Sequence, residues 1–227
     1  MTGTMAKKQH RTPVPGPPFI RLLAALADRN APRTGPDLSD RLSQWIDWTR
    51  AVALSRALDG RLPAVVESEA EPGSVDALDV ECARVRASLV DSITAPPAAG
   101  KPVATDATAY RQRCLTVQRA MLTATGRLRG LLRDRLSAGP GELPRLAEVD
   151  AAMEQALSPR EQQLLASVPA LLGAHFERLR EDAGTTEVDP DSSWLHLFRN
   201  DMQAVLLAEL DVRFHPIEGL LAALRPH

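Results

Sequence analysis

Aromatic residues are scarce in this chain, which has one tyrosine, three tryptophans and four phenylalanines among 227 residues. β-Strands draw on aromatic and β-branched side chains, whereas leucine and alanine supply most of the apolar content here. The composition therefore favours helices over sheets. Apolar residues make up 44% of the chain and charged residues 25%, which is the balance of a globular protein with a packed core.

Lysine is nearly absent, because only Lys7, Lys8 and Lys101 occur and arginine supplies all the other basic residues. A GC-rich genome explains this bias, so arginine abundance alone is weak support for phosphate recognition. The formal net charge of −2 predicts no general attraction to nucleic acid or to an anionic membrane.

Cysteine is also rare, and Cys82 and Cys114 belong to no CxxC or Cys/His spacing. We predict two buried free thiols in a reducing compartment. No apolar run reaches the length of a bilayer crossing, and the run Phe19–Ala27 is short and interrupted by Arg21. We therefore expect a cytoplasmic protein without membrane insertion, rather than a secreted one.

Helical periodicity runs through most of the chain. The longest periodic segment, Asp106–Leu136, keeps one apolar stripe throughout, formed by Tyr110, Cys114, Val117, Met121, Thr125, Leu128, Leu132 and Leu136. The sequence predicts an all-α bundle of about seven or eight helices. Residues 1–17, basic and proline-rich, predict a disordered tail. Residues 18–227 predict a single helical domain with flexible linkers near 61–73 and 94–104.

A tryptophan-containing helix is predicted from Leu38 to Leu58, with Trp45 and Trp48 three positions apart. We expect it to be a central core element, because large aromatics usually serve packing. The two indoles point in different directions around the helix axis. Trp48 is therefore a candidate protein-contact residue.

Prolines set the predicted helix boundaries in the C-terminal half. We expect one helix over Pro144–Ala156, and a new helix capped by Ser158, with a kink at Pro169. A last long helix is predicted from Ser192 to Arg213, with a final short helix starting at Pro216.

The second half of that last long helix is apolar on two sides. Leu207, Leu210 and Phe214 occupy the side that is polar earlier in the helix. Such a helix must be covered either by the C-terminal tail or by another subunit. These three residues are therefore candidate protein contacts.

An arginine-rich face is predicted on the long helix, which carries seven arginines against two aspartates over residues 106–136. One hypothesis is that this face binds an acidic partner or nucleic acid. The alternative, which we favour, is internal pairing with the acidic segment 67–91. Nucleic acid is not favoured, because no aromatics interleave the arginines. The face consists of Arg111, Arg119, Arg127, Arg129 and Arg133.

No motif for catalysis, metal binding or nucleotide binding occurs in the sequence. His175 lies on an apolar stripe, which predicts a hydrogen-bonded core imidazole, whereas His196 is expected to face solvent. We predict a protein that is not an enzyme and has no cofactor and no metal site.

Four segments resemble a proteobacterial family catalogued only as a domain of unknown function: GPPFIRLLAAL, DLSDRLSQWIDWTRAVALSRAL, LSPREQQLLASVPALL with HFERLR, and LLAELDVRFHPIEGLLAAL. The resemblance spans nearly the whole chain and supplies no catalytic residues. The resemblance implies that the gene lies near genes for membrane-anchored coiled-coil and peptidoglycan-binding proteins. The resemblance therefore implies a cytoplasmic partner of an envelope-associated assembly.

Together, these observations predict a non-enzymatic helical interaction or scaffold subunit that docks to itself or to a partner protein. Binding of an acidic partner or nucleic acid through the arginine face is the second hypothesis.

Overall fold

A computed structural model describes residues 17–27, 48–59, 75–95, 106–184 and 192–225. Within these residues every element is a helix and no strand is present, which confirms the all-α prediction. The predicted tail 1–17 and linkers 61–73 and 94–104 lie almost entirely outside the described residues. The helices are α1 (Pro18–Leu26), α2 (Trp48–Asp59), α3 (Val75–Thr94), α4 (Ala107–Ser137), α5 (Leu143–Leu165), α6 (Val168–Asp182) and α7 (Ser193–Leu224).

Helix α4 is the centre of the bundle and packs against α3, α5, α6 and α7. The Asp106 carboxylate caps its first turn by accepting a hydrogen bond from the Ala109 amide at 2.6 Å. All eight residues of the predicted apolar stripe are buried. That stripe holds α4 against α7, so these two long helices form the core contact.

Helix α7 continues through Pro216 to Leu224, so the predicted helix end at Arg213 and restart at Pro216 are wrong. Pro216 cannot donate a backbone hydrogen bond to the Val212 carbonyl. Both residues line a cleft open to solvent, where water can solvate that carbonyl. Burial of apolar side chains on both sides of the proline, including Phe214 and Ile217, keeps the helix continuous.

The predicted boundary between α5 and α6 is also wrong. Helix α5 continues from Leu143 through Pro159 to Leu165, so Ser158 does not begin a helix. The break falls at the turn before Val168, and Pro169 lies in the first turn of α6 rather than at a kink. A proline in a first turn costs no backbone hydrogen bond, which explains why the chain restarts there.

Helix α2 is the described half of the predicted tryptophan-containing helix, whose residues 38–47, Trp45 among them, lie outside the described residues. Only Ala57 is buried within α2, and the helix packs mainly against α5. The described half therefore lies at the periphery, and the expectation that it forms the central core is wrong for this part. The apolar side chains of α4 and α7 fill that position instead.

Helix α1 packs against α6 and α7, as its predicted apolar stripe requires. Phe19 and Leu26 are buried, and Arg178 of α6 donates a hydrogen bond to the Leu26 carbonyl at the end of α1. Among the described helices, none combines the length and apolar character needed to cross a membrane.

We expect Gly130→Ala to raise the free energy of unfolding by about 1 kcal/mol, because alanine has the higher helix propensity. A Cβ at this position in α4 meets no atom within 4 Å, so no clash offsets the gain. Gly141→Ala is the matched control and should lower stability by about 1 kcal/mol, because Gly141 has a φ of +65°. Urea unfolding followed by circular dichroism measures both. A Gly130→Ala protein no more stable than the wild type would contradict this account.

Candidate functional site

The predicted protein-contact residues fall into two groups. Trp48 is 83% exposed on α2. Leu210 and Phe214 are buried, and Leu207 is half-buried against the same core. The two-sided apolar part of α7 is therefore covered by the chain itself, and of these four residues only Trp48 presents a free surface.

The arginine face is largely paired within the chain. Arg129 donates two hydrogen bonds to the Asp150 carboxylate of α5, from Nε at 2.8 Å and from Nη2 at 2.7 Å. Arg133 bonds to Glu154 one turn further along α5 and lies 3.4 Å from Asp150. Burial opposes the charge of Arg129, but the hydrogen bond and charge of Asp150 outweigh it and raise the pKa of Arg129. We name these four side chains the α4–α5 ion cluster.

The other arginines of the face are exposed. Arg127 lies 3.5 Å from Glu81 of α3, and its side chain is 65% exposed. Arg111 and Arg119 are exposed as well, and neither forms an ion pair with any residue that the structure describes. The basic surface that remains free is thus centred on Arg111 and Arg119.

The favoured interpretation of the sequence pairs the arginine face with the acidic segment 67–91, of which residues 67–74 lie outside the described residues; within residues 75–91 the structure does not support that pairing as the main one. The described part of the segment contributes the single Glu81–Arg127 pair to α4. Elsewhere Arg86 of α3 pairs with α7, and Asp79 of α3 pairs at 2.8 Å with Arg225, the residue that follows α7. Arg86 contacts Asp211 and Glu218 at 2.5 Å each and lies over the Phe214 ring. Internal pairing does occur, but α5 supplies most of the carboxylates.

A buried polar group that the sequence analysis missed lies where α4, α5 and α7 meet. Glu209 is fully buried and accepts hydrogen bonds from Arg213 at 2.8 and 3.1 Å. Gln118 of α4 donates to the other Glu209 oxygen at 2.9 Å and to the Leu165 carbonyl of α5 at 3.1 Å. A glutamate and an arginine four residues apart inside an apolar run are the sequence signal for such a pair.

A cleft of about 60 Å³ opens beside this group, with room for a few water molecules. Charges of both signs face it, and Arg213 Nη1 lies 3.7 Å from Glu161 Oε1, too far for a direct hydrogen bond. The site can therefore hold water between paired charges. Its lining residues are Leu122, Thr125, Gly126, Arg129, Glu154, Ser158, Glu161, Val212, Arg213 and Pro216.

His175 and His196 take the predicted positions. His175 Nε2 lies 2.7 Å from Asp201 Oδ2, joining α6 to α7, and the ring packs beside Phe198. His196 is exposed. Within the described ranges, no group of three or more His, Cys, Asp or Glu side chains is placed to hold a metal ion.

Both cysteines are free and buried. Burial, together with the nearby Glu209 charge, raises the pKa of Cys114 to about 12. Burial, then the charges of Asp79 and Glu81, raises the pKa of Cys82. Both side chains are therefore neutral thiols at physiological pH.

We expect neither thiol to react with a disulfide reagent in the folded protein at pH 8, because only the thiolate is nucleophilic. Both should react once the chain is unfolded. The folded state favours the neutral thiol of Cys114, so stability should fall as the pH rises from about 9 towards about 12. Cys114→Ala is the control and should weaken that fall. Rapid labelling of native Cys114 would show that its thiol is not protected.

The family model described as "Protein of unknown function (DUF3348)" matches residues 5–226, nearly the whole chain. No curated protein and no solved structure gives a significant match.

Proposed function

The chain belongs to the DUF3348 family, and we propose that it is a non-enzymatic helical interaction or scaffold subunit that docks through α2 to a second copy of itself or to a partner helix. The observation that carries this proposal is the exposure of Trp48.

An indole left 83% exposed is unusual, because tryptophan is highly buried on average. Burial of a side chain of this size contributes about 4 kcal/mol. Tryptophan is also among the residues most enriched in the energetic centres of protein interfaces. Trp48 therefore supports a protein-contact role better than any other exposed side chain described.

The position of α2 fits such a role. Its inward side rests on α5 around Ala57, and its outward side carries Trp48 and Leu58, the latter 50% exposed. Ser55 and Asp59 form a hydrogen bond of 3.3 Å on that outward side. Trp48 and Leu58 lie at opposite ends of α2, so Trp48 is a single large apolar contact on a side that also carries polar residues.

The buried charges support a structural rather than a catalytic role. Glu209 is paired with Arg213, and Arg129 with Asp150, so these groups satisfy one another. Two buried free thiols suit a reducing compartment. We extend the proposal to a cytoplasmic partner of an envelope-associated assembly, as the resemblance of the sequence segments implies.

Trp48→Ala should weaken association at least tenfold without destabilising the fold, because an exposed side chain contributes little to stability. Light scattering should give a mass above the 24.6 kDa of one chain, or a complex with the helical partner. Val80→Ala, at another exposed apolar position, is the matched control and should leave association unchanged. A chain that is monomeric at all concentrations and binds no helical partner would refute the proposal.

The second candidate function is binding of an acidic partner or nucleic acid through Arg111 and Arg119. The two guanidinium groups are exposed and lie two turns apart on α4, without an ion pair among the described residues. Two arginines form a small basic surface, which makes this function weaker than the first.

Replacement of both Arg111 and Arg119 by glutamine should abolish any binding of duplex or single-stranded DNA, or of poly-glutamate, at low salt. Arg84→Gln is the control, because Arg84 is already paired with Glu81. This function would be eliminated if the wild type bound none of these ligands, or if the double variant bound them as tightly as the Arg84→Gln control does.

A further inference from the structure

The cleft between α4, α5 and α7 exists because two of its lining residues lack groups that other residues would supply. On α4, Gly126 has no side chain, and a Cβ built there would meet no atom within 4 Å. On α7, Pro216 has no backbone N–H, so the Val212 carbonyl lacks its helical hydrogen bond. The result is a small space that borders an unsatisfied backbone acceptor.

Two further hydrogen-bond acceptors line this cleft from α5. Glu161 has its described charged contact with Arg213 Nη1 at 3.7 Å, beyond the range of a direct hydrogen bond. The Ser158 hydroxyl forms no hydrogen bond with any residue that the structure describes. Together with the Val212 carbonyl, these groups supply three acceptors to one small space.

The charges around the cleft leave one negative charge uncompensated. The α4–α5 ion cluster is neutral within itself, because it holds two arginines and two carboxylates. Arg213 is 7% exposed, and the fully buried Glu209 neutralises it. Glu161 is the carboxylate left over. The electrostatic balance of the cleft therefore favours a cationic ligand over an anionic one.

The lining favours an organic cation over a metal ion. Across the described helices, no three metal-binding side chains lie close enough together to hold a metal ion. The cleft also has an apolar wall, formed by Leu122, Val212 and Pro216. The side chain of Leu122 is 43% exposed at this wall, so an alkyl chain can pack on it and continue into solvent.

We propose that the cleft binds a primary alkylammonium group. Its three N–H donors match the three acceptors, namely the Glu161 carboxylate, the Val212 carbonyl and the Ser158 hydroxyl. The volume of about 60 Å³ admits the ammonium and the first carbons of the chain, which displace water. The group belongs either to a free alkylamine or to a lysine side chain, which share this chemistry. The site does not involve Trp48 and is independent of docking through α2.

Isothermal titration calorimetry of the full chain with n-butylammonium chloride at neutral pH tests the site. We expect saturable binding of one ammonium per chain. Tetramethylammonium has the same charge but no N–H donor, and n-butanol has the same chain but no charge, so both should bind at least tenfold more weakly. No saturable binding, or equal binding of tetramethylammonium, would overturn the proposal.

Glu161→Gln removes the uncompensated charge and should weaken binding of n-butylammonium at least tenfold. The fold should be retained, because the Glu161 carboxylate lies too far from Arg213 for a direct hydrogen bond. Glu148→Gln, at an exposed glutamate of the same helix, is the matched control and should leave binding unchanged. Unchanged binding in Glu161→Gln would refute a role for this carboxylate and with it the proposed site.

Gly126→Leu tests the location of the site, because a leucine side chain fills the cleft from α4. It should abolish binding without lowering stability, since a Cβ at this position clashes with no atom and leucine has the higher helix propensity. Gly126→Ala is the matched control, because one methyl group leaves most of the cleft open. Binding that persists in the leucine variant would place the ligand elsewhere and contradict the proposal.

A lysine blocked at both its amino and carboxyl groups distinguishes the two sources of the ammonium. If it binds as tightly as n-butylammonium, the site takes a lysine side chain of a partner protein. If it binds at least tenfold more weakly, the site takes a free alkylamine. Trp48→Ala should leave binding of both compounds unchanged, so failure of this site and failure of docking through α2 are separate results.

Discussion

The apolar contact between α4 and α7 is the constraint on which the rest of the structure depends. Leu132 and Leu136 of α4 and Leu206 of α7 are completely shielded from solvent, and every other helix except α2 packs against one or both of these two. Their interior still contains a charge, because Glu209 lies between them. That carboxylate is tolerated because Arg213 and Gln118 satisfy it, and the same bonds fix the register of α7 against α4.

The helices around this contact are held by different kinds of interaction. On one side, α6 and α7 meet around a cluster of aromatic rings, in which Phe176 stacks edge-on against both Trp194 and Phe198. On the other, α5 is held by arginines and carboxylates, and α2 rests on it. The exposed indole lies on α2, and the paired arginines lie at the contact of α4 with α5.

Periodicity predicted the fold class and the buried stripe of α4 residue by residue, because a 3.6-residue repeat places those side chains on one face whatever surrounds them. It failed at Pro159, Pro169 and Pro216. A helix can continue through a proline when burial of the surrounding apolar side chains in the folded core offsets the lost backbone hydrogen bond. A local sequence pattern does not contain that information. Similarly, the sequence predicted the arginine face but not the α5 carboxylates that pair with it. Opposite charge identifies many candidate carboxylates, but it does not tell which helix packs beside α4. Trp48 was predicted as a candidate contact because it points away from Trp45 on the helix, but the exposure of its side chain depends on how far α2 lies from the core, which periodicity does not give.

The sequence distance across the core has a consequence for how the protein is made. Gln118 and Glu209 are 91 residues apart, so the central contact closes only after α7 has been synthesised. Until then α4 has its apolar stripe without its principal cover, while α5 is already available beside it. During synthesis, α5 and α6 are therefore available to pack on α4 before α7 completes the core.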